Sequence, residues 1–214
     1  MELRTREMLT SMGLYALLTM VVYYVALTTA ETLDVSEIAA GLLWLAFIFT
    51  SMLGLNRSLV HEKDQGCIEA LLLSPIDRPV IFFAKATGNL IFILTVAVIT
   101  LPVFAFLFGM WEELLAGSWM VLLVVFGGAL GIAGLGTLLA TISVNTSGKD
   151  FILTVLFIPL IYPLLLGVVW ATSVALSNGT MPMSQYWIAM AWVGGFDIIM
   201  LLIAFALYEF IVGA

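Results

Sequence analysis

"SWMVLLVVFGGALGIAGLGTLLATISV", residues 118–144, runs for 27 residues without a charged side chain. A stretch of about 20 apolar residues crosses the ~30 Å hydrocarbon core of a bilayer as a helix. The rest of the chain is of the same kind. Its 214 residues are 63% hydrophobic and 10% charged, with a mean hydropathy of +1.19. That leaves too little polar surface to cover a soluble globule. Reading outward from 118–144, apolar runs predict five further spans, at about 8–30, 38–55, 86–108, 151–176 and 187–212. In lipid the backbone must satisfy its own hydrogen bonds, so each span is expected to be a helix. The expected fold is therefore an all-α, multi-pass integral membrane protein: one domain, 1–214, of six transmembrane helices in contact with the lipid bilayer.

Basic residues orient the bundle. Arg4 and Arg6 precede the first span, Arg57, Lys63, Arg78 and Lys85 lie between the second and third, and Lys149 lies between the fourth and fifth. The alternate connections, Glu31–Glu37, Gly109–Gly117 and Ser177–Tyr186, hold no Lys or Arg. The positive-inside rule then places both termini and the 56–85 loop in the cytoplasm. The first span is too long for the apolar region of a typical cleaved signal peptide, although Arg4, Arg6, Thr28 and Ala30 mimic one. Cys67 is the only cysteine, which excludes an intrachain disulfide. The net charge of −7 gives no case for nucleic acid.

Charge gathers in one place, "HEKDQGCIEALLLSPIDR", residues 61–78, which holds six charged side chains and the only histidine. Exposure to water accounts for Glu62, Lys63, Asp64, Asp77 and Arg78. It does not account for Ile68 and Leu71–Leu73. Gly66 and Ser74-Pro75 bracket a good helix-forming run. At 100° per residue Ile68, Leu71, Leu72 and Pro75 share one face, while Leu73 and Ile76 turn elsewhere. Burying a leucine is worth roughly 1.5–3 kcal/mol, so two apolar faces call for two surfaces: the bundle end and a partner. A helix resting at the lipid interface is the plainer alternative.

Glu62, Gly66, Glu69, Leu72, Pro75, Arg78 and Lys85, in this order and spacing, resemble the cytoplasmic loop of ABC-2-type permeases. The fuller string "EKDQGCIEALLLSPIDRPVIFFAKATGNLIF", residues 62–92, resembles the CcmB family, the membrane subunit of the cytochrome c maturation (heme exporter) ABC complex. "ELRTRE", residues 2–7, and "FDIIMLLIAFALYEF", residues 196–210, are similar to that family's first and last segments. The resemblance implies a type V exporter-like bundle in the bacterial inner membrane, with 67–76 as a coupling helix. Glu62, Gly66, Glu69, Leu71, Leu72, Pro75 and Arg78 would engage a separate CcmA-like ATPase that binds the ATP. CcmC-like and CcmD-like membrane subunits and a second copy of this chain are the further partners it implies, with heme handled by the complex. Relatives often carry an amphipathic helix before the first span. Here only Met1–Thr5 precede Arg6, so that helix is either curtailed or begins upstream.

Other chemistry is sparse. Gly148-Lys149 is followed by Asp150 and lacks the earlier glycine of a phosphate loop, so ATP hydrolysis is expected on a partner and no catalytic residue in this chain. No metal site and no directly bound cofactor are expected. His61 reads as a solvated residue, and the eleven methionines as gap-fillers rather than heme ligands. Gly127 and Gly131 form a G-x-x-x-G pair suited to close helix packing, with contact to a second copy or a sliding helix as the sharper alternative. Pro159 and Pro163 predict a bent fifth span, and "SNGTMPMSQYW", residues 177–187, an uncharged outer segment dipping towards lipid. Asp197 is the only acid well inside a span. Its charge would cost about 2.5–3.5 kcal/mol near mid-bilayer, so it should face the bundle. The rival functions are an ABC-2-type exporter of another substrate (lipid-linked sugar or drug), and a force-transmitting assembly subunit with no substrate path.

The basic-residue pattern yields a direct test. A reporter active only outside the cytoplasm should work when fused after Glu113 and stay silent after Gln65. The reverse pair of results would overturn the six-span topology.

Overall fold

The computed structural model describes residues 2–28, 35–64, 78–144 and 149–213. Seven helices are found among them, and no strand: α1 (Glu2–Thr28), α2 (Val35–Asp64), α3 (Arg78–Phe108), the short α4 (Trp111–Ala116), α5 (Ser118–Val144), α6 (Lys149–Leu176) and α7 (Met183–Gly213). Five apolar segments are long enough to cross a membrane by length and composition: Thr10–Leu27, Pro79–Phe108, Ser118–Ile142, Val155–Leu176 and Met183–Ala206. The apolar part of α2, Ile38–Gly54, is shorter.

The helices extend beyond the expected apolar runs. Asn56–Asp64, including Arg57 and His61, continue α2, and α3 opens at Arg78. Residues 56–64 and 78–85, expected in a connection, are therefore helical, leaving 65–77 outside the described residues. A helix closes its own hydrogen bonds in water as well as in lipid, so charge alone does not end it. Likewise α7 begins at Met183, so Met183–Trp187 of the expected outer connection are helical. The turn at 177–182 uses Asn178 (φ 50°) and Gly179 (φ 83°). These are the residue types that enter the left-handed region at least cost.

The core is built around α5. Of Ser118–Ile142, 72% is buried, against no more than 39% of any other long apolar segment. Helix α5 packs against α2, α3, α6 and α7, whereas α1 lies outside, on α2 and α3. Leu14, Leu18, Val21, Val22 and Val25 form an exposed apolar stripe along α1, as a lipid-facing helix requires. Hydroxyls within the spans bond back to their own helices: Thr95 Oγ1 donates to Ile91 O and Thr100 Oγ1 to Val96 O, each at 2.8 Å. These groups are thereby satisfied without a partner helix.

Gly128 marks the closest approach of α2 to α5. A Cβ there would overlap the Cη2 and Cζ3 atoms of the Trp44 indole. Trp44 is 1% exposed, meets Phe47 edge to face at 5.5 Å, and donates from Nε1 to Thr172 Oγ1 on α6 at 2.8 Å. Thr172 Oγ1 in turn donates to Val168 O at 2.7 Å. One side chain thus binds three helices together.

Gly128→Ala should therefore lower stability by about 1–3 kcal/mol through overpacking. Trp44→Phe, which clears the space but loses the hydrogen bond, should cost stability alone. Thermal unfolding in detergent should show the double variant less destabilised than the sum of the two, because the sites touch.

Candidate functional site

Two places drew attention in the sequence, and the structure treats them differently. Of the coupling residues, Glu62 falls in the last turn of α2 and Arg78 opens α3. Gly66, Glu69, Leu71, Leu72 and Pro75 lie outside the described residues. Helices α2 and α3 also pack against each other, and 65–77 joins them.

Asp197 is placed in full. It is 6% exposed, half-way along α7. Its carboxyl lies in the groove that the glycines of α5 open. A Cβ on Gly131 would come 2.5 Å from Asp197 Oδ1 and 2.5 Å from a methyl of Leu164 on α6; one on Gly127 would lie 3.9 Å from Oδ2 and 3.1 Å from Val193. Gly134 faces Leu201 at 3.8 Å. Val193, Asp197 and Leu201 recur every four residues, on one face of α7, and lie along Gly127, Gly131 and Gly134 of α5. The G-x-x-x-G pair therefore packs within this chain, as expected from lipid-embedded helices that lack a hydrophobic drive to associate. Asp197 Oδ1 has no hydrogen-bond partner among the described residues. Methyl groups of Leu164, Val193 and Met190 line the same glycine positions.

Helix α6, which carries Pro159 and Pro163 within it, closes the third side. Gly167 admits Trp192 and Val193 of α7, at 2.8 and 2.9 Å from where its Cβ would be. Trp192 Nε1 donates to Pro163 O at 2.8 Å. Pro163 thus sits in a contact with α7. Towards the start of α3, Asn89 Nδ2 donates to Thr137 Oγ1 on α5 at 2.9 Å.

At the other end, Tyr186 is fully buried, and its hydroxyl donates to Met120 O at 2.9 Å. Trp119 and Trp187 flank its ring at 5.9 and 5.3 Å. Beside them a cavity of about 400 Å³ lies between α4, α5, α6 and the 177–182 turn, lined in part by Met120, Asn178, Met181 and Met183. Gly117 forms its tight corner, since a Cβ there would overlap Ala175 O. Among the described residues no group of three or more His, Cys, Asp or Glu side chains converges as a metal site.

The sequence singled out Asp197 and the glycines of α5 because each breaks an apolar pattern. It gave no sign of Trp44, Asn89 or Tyr186, whose importance comes from partners 128, 48 and 66 positions away.

Comparison with known proteins is consistent along the chain. The family model described as "CcmB protein" matches residues 1–211. A curated protein named heme exporter protein B, from Rhodobacter capsulatus, is 27% identical over 131 residues, 61% of this chain. The match spans 59% of that relative's length.

The glycine register makes a sharp contrast. Gly131→Ala should destabilise by about 1–3 kcal/mol because Asp197 and Leu164 occupy the space. Gly134→Ala, with ordinary contact distance available, should be tolerated or gain up to about 1 kcal/mol of helix propensity. Unfolding temperatures of the two variants, compared in one detergent, check this ordering.

Proposed function

We propose, from the premise that this chain belongs to the CcmB family, that it is the permease subunit of an ABC complex in cytochrome c maturation. The family match over residues 1–211 carries this reading. The name of the Rhodobacter capsulatus relative supports heme as what the complex handles. In this reading the chain crosses the bacterial inner membrane six times, with Ile38–Gly54 of α2 as the shortest span and both termini cytoplasmic. A CcmA-like ATPase on the cytoplasmic side hydrolyses the ATP, and CcmC-like and CcmD-like subunits and a second copy of this chain complete the assembly.

The mechanism is mechanical. ATP closes the ATPase dimer, segment 67–76 follows it, and α2 and α3, which flank that segment, carry the displacement into the bundle. Glu62, Gly66, Glu69, Leu71, Leu72, Pro75 and Arg78 are the coupling residues. None of them reacts.

One observation favours a force-transmitting role over a heme path through this chain. The segments 29–37, 109–117 and 177–186 hold Glu31, Asp34, Glu37, Glu112 and Glu113, with no Lys or Arg. Heme carries two propionates, and five acids in segments without Lys or Arg repel them rather than pair with them. ATP-driven release of a heme-loaded chaperone from neighbouring subunits meets no such barrier.

Leu72→Asp would put an unpaired charge into a buried apolar contact, which strongly disfavours that contact. Glu69→Arg reverses a charge beside the proposed groove. Either variant should insert normally yet lose the ATPase on detergent extraction, or keep it with ATP turnover uncoupled from chaperone release. ATPase pull-down combined with a release assay reads both. Full retention of both activities in both variants would reduce 61–78 to a connector lying on the membrane.

A further inference from the structure

Asp197 is 6% exposed and its Oδ1 has no hydrogen-bond partner among the described residues, yet that oxygen is aimed into the glycine groove of α5. A purely structural acid would direct both oxygens at donors. The helices packed against α7 are α3, α5 and α6. Helix α5 has no titratable residue in Ser118–Val144. On α6 the groups are Tyr162, which is 57% exposed, and Lys149 with Asp150 at the helix start. On α3 they are Arg78 and Lys85, at the end where Ala86 packs with Leu138 and Ala204. Ala204 is seven residues from Asp197, about 10 Å along the axis. On α7 itself Tyr186 and Tyr208 each lie eleven residues away, roughly 16 Å, with Glu209 one residue farther.

Among the described residues no cation therefore pairs with Asp197 Oδ1, and glycine Cα–H groups are weak donors for an ionised oxygen. A carboxylate in such surroundings is relieved by taking up a proton rather than by pairing. We propose that Asp197 is an exchangeable intramembrane proton-binding site that governs the α5–α7 contact. The neutral acid fits the methyl-lined groove at Gly131. On release, H⁺ passes from the carboxyl oxygen to a water molecule, giving hydronium, and one negative charge remains on Asp197. That charge cannot stay against glycine and leucine, so the seam loosens; rebinding of the proton closes it. This inference stands whether or not the chain couples to an ATPase.

A hydrophobic fluorescent carbodiimide adds to protonated carboxyls in apolar surroundings and spares ionised ones in water. With the complex in lipid nanodiscs, the label at neutral pH should map to the peptide containing Asp197. It should decline as pH is raised from mildly acidic to mildly alkaline, and be lost in Asp197→Asn. Unfolding temperature supplies a second reading. Because the folded seam holds the proton while an aspartate of the unfolded chain releases it at about pH 4, wild-type stability should fall as pH rises above that value. Asp197→Asn, isosteric and unable to ionise, should lack that part of the pH dependence. Absence of label on Asp197 at every pH overturns the proposal. So does labelling that ignores pH, or identical pH dependence of stability in wild type and variant.

Discussion

Helix α5 can lie at the middle of this bundle only because two of its faces lack side chains. On one face Gly128 receives the edge of Trp44; on another Gly127 and Gly131 receive Val193 and Asp197. Lipid tails are as apolar as leucine, so helices here gain little from hiding apolar surface and must gain instead from close contact. An added Cβ would overlap the Trp44 ring at Gly128 and Asp197 Oδ1 at Gly131, and would crowd a Val193 methyl at Gly127. Backbone approach is therefore the condition on which the other helices take their places.

The polar groups follow from the same condition. A helix in lipid cannot leave its donors to water. Thr95, Thr100 and Thr141 answer to their own backbones. Trp44, Tyr186 and Trp192 reach across to Thr172, Met120 O and Pro163 O. The Tyr186 and Trp192 bonds join helices that also meet at Gly127 and Gly131 of α5 and at Gly167 of α6. Asp197 departs from the pattern, since it has burial without a donor for Oδ1. Thr50 Oγ1 and Glu113 Oε2 are likewise buried without a hydrogen-bond partner among the described residues, and of the three Asp197 is the acid within a span.

Much of this was legible in the sequence, and the reasons differ by element. Residues 118–144 declared a membrane helix through length and absence of charge, and α5 has those bounds. The interior acid and the glycine run stood out against leucine and valine. The ends of α2 and α3 did not, because Arg57, Lys63 and Lys85 read as loop to a hydropathy argument although a helix continues through them. Trp44 was invisible for another reason. In a chain with six tryptophans, nothing local distinguishes the one that meets Gly128 and Thr172; only the assembled bundle does. The resemblance to the CcmB family rested on 62–92 as its specific part, with 2–7 and 196–210 beside it, and the family model matches residues 1–211.

The geometry of α2 has one more consequence. The helix runs 30 residues, and its buried hydrophobic side chains among the described residues extend from Ala39 through Trp44 to Met52. Beyond Met52 it continues for twelve residues to Asp64, about 18 Å at 1.5 Å per residue. A displacement entering at Asp64 therefore travels along the helix and meets that packed core first at the turn that carries Met52, about two turns before Trp44.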